Sequence, residues 1–187
     1  MVTAQEQLWE IALDQHGFVT TDDARTLGVT AHALKLLAAR GTLRREAHGV
    51  YRFGRFPASI ADDYQQAVLW TGRPDAVLSH ETALDLLELA DVNPDRIHVT
   101  VTVGARVRRQ GGELIVVHEE DLLPADVGWW EGIGCVTAVA AIRQVIEAGA
   151  TQVHLINQAV ETARERGSIT EEVRGTLLTR LEARLAQ

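Results

Sequence analysis

The chain has 187 residues, a formal net charge of −8, 46% hydrophobic residues and one cysteine, Cys135. That length allows one domain or two small ones, and the apolar content is that of a globular chain, which argues against disorder. A single cysteine excludes an intramolecular disulfide framework, and the lack of a charged-then-apolar leader or an apolar run of about 18 residues sets the expectation of a cytoplasmic protein with no membrane partner.

In chain order, Thr3-Ala-Gln-Glu6 forms a capping box that opens a first helix. Leu8, Ile11 and Ala12 follow at helical spacing, and Gly17 stops it. Thr20-Thr-Asp-Asp23 opens a short second helix that ends near Gly28. Thr30 caps a third over 31–40, with Leu34 and Leu37 facing inward and Gly41 as the stop. The segment GTLRREAHGVYRF, from Gly41 to Phe53, then reads as strand, turn, strand. Leu43, Val50, Tyr51 and Phe53 supply strand-type side chains, and His48-Gly49 supplies a residue that tolerates positive φ. Helix, helix, tight turn, helix and hairpin within about 55 residues define a winged helix-turn-helix.

The segment 55–59 reads as a connector. Beyond it the expected elements are a helix over 62–72, a helix capped by Ser79, and a half-buried strand over 97–103. A second strand over 114–117 is expected to form a hairpin with it. A short strand pair lies within 127–135, and helices near 138–148, 152–166 and 170–185 complete the chain, the last behind a cap box at Ser168-Ile-Thr-Glu171. The expected fold class is α+β. A winged helix-turn-helix over 1–55 precedes a C-terminal domain over 56–187, a mixed α/β domain with a small antiparallel sheet and C-terminal helices.

Charge is segregated along this order. Residues 1–55 hold seven basic and six acidic groups, and the remainder holds eleven basic and twenty acidic. Within 20–55 the balance is seven basic against three acidic. Affinity for a polyanion follows local positive charge and counterion release rather than whole-chain charge. An acidic total is therefore compatible with a DNA-binding front end.

A helix fits the major groove, and a hairpin beside it reaches the flanking backbone. On the third helix, Ala31, His32, Lys35, Leu36, Ala39 and Arg40 are not needed for the core and become the reading face. Lys35 is the best candidate for a guanine contact, and Thr30 with the helix N-terminus is placed to hold a phosphate. Arg44, Arg45 and Arg52 sit on the wing, with Arg55 just beyond, where a planar guanidinium can grip phosphate at two points. A winged helix used for protein contact, or as a structural cap, is the competing reading. One copy makes few contacts, so two copies on an inverted repeat are expected, by dimerisation or cooperative binding. The tip of the expected 97–117 hairpin carries Arg106, Arg108 and Arg109. Solvation, a second DNA contact and docking to an acidic partner all remain open for it.

Residues 8–53 resemble the N-terminal domain of AbiEi-type antitoxins of abortive-infection, type IV toxin–antitoxin systems. The resemblance is carried by "GFVTTDDARTLGVTAHALKLLAARGTLRREAHGVYRF", then "AVLSHETALDLLEL", "IHVTVTVGARVRR" and "GIGCVTAVAAIRQVIEAG". It implies an autorepressor that binds inverted repeats in double-stranded DNA upstream of its operon, and that counteracts a nucleotidyltransferase-like toxin with the help of its C-terminal domain. Carried onto this chain, the DNA-facing positions are Thr30, His32, Lys35, Arg40, Arg44, Arg45 and Arg52. The third helix departs from the family pattern, with Ala31, Leu36 and Ala39 where basic residues are typical. A stand-alone winged-helix regulator, and a toxin-binding protein that does not touch DNA, are the alternatives.

Neither a cofactor nor a catalytic residue is expected, and the chain is not read as an enzyme. Asp95 with Glu113-Leu-Ile has the carboxylates of a metal-dependent nuclease but places Ile115 where such a site needs lysine. Ser79-His80-Glu81 has triad residue types that consecutive placement cannot align, so Ser79 reads as a helix cap. His98 and His118 are expected to face each other across the hairpin. Two imidazoles can share a metal, but no third ligand is evident and no metal is assigned. Trp129-Trp130 straddles both faces of a strand, which allows one ring to be exposed, and reads as core or domain packing rather than a partner hot spot.

Overall fold

The computed structural model describes residues 3–107, 109 and 111–186. The chain packs as two units. The first comprises Met1–Ala76, Arg106–Glu113 and Glu131–Ile133, and the second comprises Val77–Ala105, Leu114–Trp130 and Gly134–Gln187.

The first unit opens with α1 (Ala4–Leu13), β1 (Phe18–Thr20), α2 (Thr21–Thr26) and α3 (Ala31–Ala39). It continues with β2 (Leu43–Ala47), β3 (Val50–Phe53) and α4 (Asp62–Trp70). The caps are the ones the sequence indicates. Thr3 and Thr20 each complete a capping box, with Glu6 and Asp23, and the Thr30 hydroxyl accepts from the Ala33 amide at 3.2 Å. These are short-range bonds that satisfy orphan helix amides, so they are set by neighbouring residues alone. Leu8, Ala12, Val19, Ala24, Val29, Leu34, Leu43, Tyr51 and Phe53 form the buried core. Each large side chain there contributes about 1.5–3 kcal/mol by leaving water.

The wing is a three-stranded sheet rather than a bare hairpin. Its order is β1-β3-β2, with both pairings antiparallel. β1 is only three residues long, too short to show a period, and it makes β3 a central strand whose four residues are all buried. The β2–β3 register carries a bulge between Arg45 and Ala47, and the chain reverses at Gly49 with φ +73°.

The first unit also extends past the expected boundary at residue 55. The connector and α4 belong to it, because Arg52 of β3 bonds to both.

The second unit is built on a five-stranded sheet of order β6-β5-β4-β8-β7. Its strands are β4 (Val77–Leu78), β5 (Ile97–Val101), β6 (Ile115–Glu119), β7 (Val127–Trp130) and β8 (Ile133–Val136). Its helices are α5 (His80–Leu86), α6 (Ala138–Ala148), α7 (Val153–Glu165) and α8 (Glu171–Leu185). The expected hairpin between the 97 and 114 strands is corrected here. β5 and β6 pair in parallel, with Ile97 beside Ile115 and Thr100 beside His118, and β4 also runs parallel to β8. Alternating apolar residues carry no information about strand direction, and the glycines near 111 imitate a turn. A parallel pair instead needs a crossover of a dozen or so residues, which the segment between β5 and β6 provides. The cap of α8 is Thr170, not Ser168, since the Thr170 hydroxyl accepts from the Val173 amide. Among the described residues no helix is long and apolar enough to cross a membrane.

Candidate nucleic-acid interface

α3 buries Leu34 and turns Ala31, His32, Lys35, Leu36, Ala39 and Arg40 to the exposed side. This is a single face, because residues four apart stack one turn above another. Leu36 is 41% exposed on it, an apolar side chain amid polar neighbours. Thr30 is exposed at the N-cap, and its hydroxyl is engaged with Ala33. The first-turn amides of α3 and the positive end of the helix dipole are the groups there that suit an anion.

On the wing, Arg44 and Arg45 of β2 are both exposed. The Arg44 Nε donates to Glu46, whose carboxylate therefore competes with any phosphate for that guanidinium. The Arg45 Nε donates to the Ala47 carbonyl at 3.3 Å, which leaves the rest of its donor fork outward. Arg55 is exposed and stacks its guanidinium 3.8 Å over the Trp9 ring.

Arg52 is the exception. It is expected as a phosphate contact on the wing but is only 6% exposed. Its Nη2 lies 2.8 Å from Asp62 Oδ2 and donates to the Pro57 carbonyl at 2.8 Å, and its Nη1 donates to the Phe56 carbonyl at 3.3 Å. The guanidinium also lies 5.4 Å from the Phe18 ring and 5.9 Å from the Phe56 ring. A central strand covered on both faces has no phosphate-facing position, so Arg52 is a structural residue. Only the pairing of β1 on the far side of β3 reveals this, and no local signal in the sequence does. Within 20–55, Arg25, Lys35, Arg40, Arg44, Arg45 and Arg55 remain as exposed cations.

Of the second candidate contact, Arg106 is exposed, Arg109 is half-buried, and Arg108 lies outside the described residues. Arg109 belongs to the first unit. Its Nη1 donates to the His48 carbonyl at the wing turn, at 3.1 Å. It also packs on Gly72, where an added Cβ would overlap the guanidinium. The structure thus brings Arg109 to the turn of the wing, a neighbourhood that the sequence order conceals.

The second unit contains a separate cluster. His98 Nδ1 and His118 Nε2 are 3.0 Å apart, as expected of two facing imidazoles, although across a parallel pair. His80, the first residue of α5, stacks on His118 with ring centroids 3.5 Å apart. Burial, reinforced by neighbouring imidazoles, pushes the pKa of His80 down to about 3 and that of His118 down to about 4. Burial also lowers that of His98, against the opposing pull of Glu81. Burial thus disfavours the charged form of all three imidazoles. The buried Cys135 thiol is pushed up to about 12 by the same loss of hydration and is inert.

A short helix, a tight turn at Gly28, an exposed recognition-type helix and a three-stranded wing define the first unit as a winged helix-turn-helix. Residues 6–54 match the sequence profile of the family described as "Transcriptional regulator, AbiEi antitoxin". No curated protein matches the chain. Among solved structures, the chain is similar to the RV2827C protein from Mycobacterium tuberculosis, with 17% identity and a TM-score of 0.57. That likeness covers 100% of this chain and 78% of the other, and at this identity it speaks for the fold alone.

Proposed function

We propose that the protein is a transcriptional autorepressor that binds promoter DNA through α3 and the wing, and that it serves as the antitoxin of a nucleotidyltransferase-like toxin. The observation that carries the DNA-binding half is the common exposure of His32, Lys35 and Arg40 on α3 and of Arg44 and Arg45 on β2, all within the family-matched region. Lys35 reads a base edge, the arginines hold phosphates, and the α3 N-terminus at Thr30 takes one further phosphate. Repression follows from occupancy of the promoter and needs no catalytic step. Two copies on an inverted repeat supply the contact area that one small module lacks.

Mobility shift with the DNA upstream of the protein's own gene tests the repressor half, and no shift at low salt contradicts it. Co-expression with the adjacent open reading frame tests the antitoxin half. Relief of that gene's toxicity supports it, and a non-toxic neighbour contradicts it. A stand-alone regulator is the second reading, favoured by the family match ending at residue 54 and leaving the second unit outside it.

A further inference from the structure

The geometry points to a transition-metal site in the second unit, in which His80, His98 and His118 hold one divalent ion of the zinc class with a fourth position open to water. The three residues come from three elements: the start of α5, β5 and β6. One ligand nitrogen from each can be chosen so that all lie within 4.8 Å of one another, and the His98–His118 pair is already at 3.0 Å. Zinc–imidazole bonds of about 2.0–2.1 Å in a tetrahedral array place nitrogens roughly 3.3 Å apart. Reaching this spacing requires the stacked His80 and His118 rings to part. One ring of the stacked His80–His118 pair turns so that its lone pair points at the ion.

The surroundings resemble those that orient metal-bound imidazoles. The Ser79 hydroxyl lies 3.1 Å from His80 Nδ1, which leaves Nε2 of that ring as the free donor. Glu81 Oε2 lies 3.9 Å from His98 Nε2, too far for a hydrogen bond but near enough to favour positive charge at that ring, and the Thr151 hydroxyl donates to the same carboxylate at 2.7 Å. Glu120 bonds Gln144 at 2.7 Å, and Gln144 accepts from the His80 amide at 3.2 Å. Glu81 and Glu120 place negative charge beside the cluster, set against Arg143, which pairs with Glu120, and Arg96, which acts on His98.

His80 sits at φ +52°, a left-handed conformation shared by His16, Glu88 and Glu131. At His80 the Gln144 and Ser79 bonds hold that conformation. His80 is 7% exposed, while His98 and His118 are half-buried, so an ion has a route in from their side. Three neutral imidazoles suit zinc, nickel, cobalt or copper rather than magnesium or calcium, which prefer oxygen.

The test is calorimetric titration of the full, metal-free chain with zinc, paired with imidazole nitrogen NMR. The expected result is saturation at one zinc per chain, with shifts confined to His80, His98 and His118 among the seven histidines. His98→Asn or His118→Asn weakens binding at least about tenfold, and Glu81→Gln weakens it by about tenfold. Magnesium does not compete. No saturable binding, or shifts at His16, His32, His48 or His154 instead, overturns the site. The NMR measurement on the unsubstituted chain decides the matter even if a variant fails to fold. None of these readouts depends on DNA binding.

Discussion

Arg52 of β3 and Asp62 of α4 form an ion pair of 2.8 Å, with the arginine side chain 7% exposed and the aspartate side chain 20% exposed. Arg52 also donates to the Phe56 and Pro57 carbonyls, so one guanidinium ties the central wing strand, the connector and α4 together. Its Nε is buried without a partner, a cost the other bonds must offset. Removing one partner of such a pair leaves a buried charge uncompensated, which costs about 3–5 kcal/mol when burial is complete and less here because Asp62 is partly solvated. Arg52→Ala is expected to destabilise the protein by about 2–3 kcal/mol in urea denaturation. Arg52→Lys is expected to rescue little, because an ammonium lacks the planar fork. A variant of unchanged stability with weakened DNA affinity would return Arg52 to the interface.

The wing arginines are expected to act on all DNA sequences alike. Arg45→Ala reduces the slope of log affinity against log salt by about 0.9, the value for one phosphate contact. Arg44→Ala has a smaller effect, because Glu46 already shares its guanidinium. Glu46→Gln is therefore expected to strengthen binding several-fold at low salt. Fluorescence anisotropy with specific and scrambled duplexes at several salt concentrations measures all three.

Lys35 and Leu36 are adjacent exposed residues on α3 with opposite expected effects. Lys35→Ala lowers affinity for the specific site by about 1–3 kcal/mol and leaves non-specific binding nearly intact, relaxing preference at one base pair. Leu36→Arg raises affinity for any duplex by adding a phosphate-seeking charge to an apolar position. A base-substitution panel with each variant separates the two effects. If Lys35→Ala keeps the full base preference, another residue reads the sequence.

Gly49 carries the wing turn at φ +73°, and an added Cβ would stand 2.9 Å from Thr21 Oγ1. The Thr21 amide also donates to the Gly49 carbonyl at 2.9 Å, which holds the two segments together. Gly49→Ala is expected to cost about 1–2 kcal/mol from left-handed strain and crowding, measured by chemical denaturation. It is also expected to weaken DNA binding through a displaced wing.

What was legible in the sequence is what local bonding fixes. The threonine caps at Thr3, Thr20 and Thr30, the stop at Gly41 and the turn at Gly49 each depend on residues within a few positions. The exposed face of α3 follows from placing Leu34 inward. What was not legible depends on pairings distant along the chain. β1 is too short to announce itself, yet it turns β3 into a central strand and Arg52 into a buried residue. The direction of β6 beside β5 leaves no trace in their alternation. His80 read as a neighbour of a helix cap, and only the sheet brings it onto His118. Arg109 likewise meets the wing turn from sixty-one positions away.

The central claim is that the exposed cations of the first unit bind a DNA backbone. Titration of the protein's upstream DNA from low to moderate salt tests it most directly. The expected result is a specific complex whose log affinity falls linearly with log salt, with a slope made shallower in the Arg40→Ala, Arg44→Ala, Arg45→Ala triple variant. No complex at low salt, or a slope that the triple variant leaves unchanged, contradicts the account.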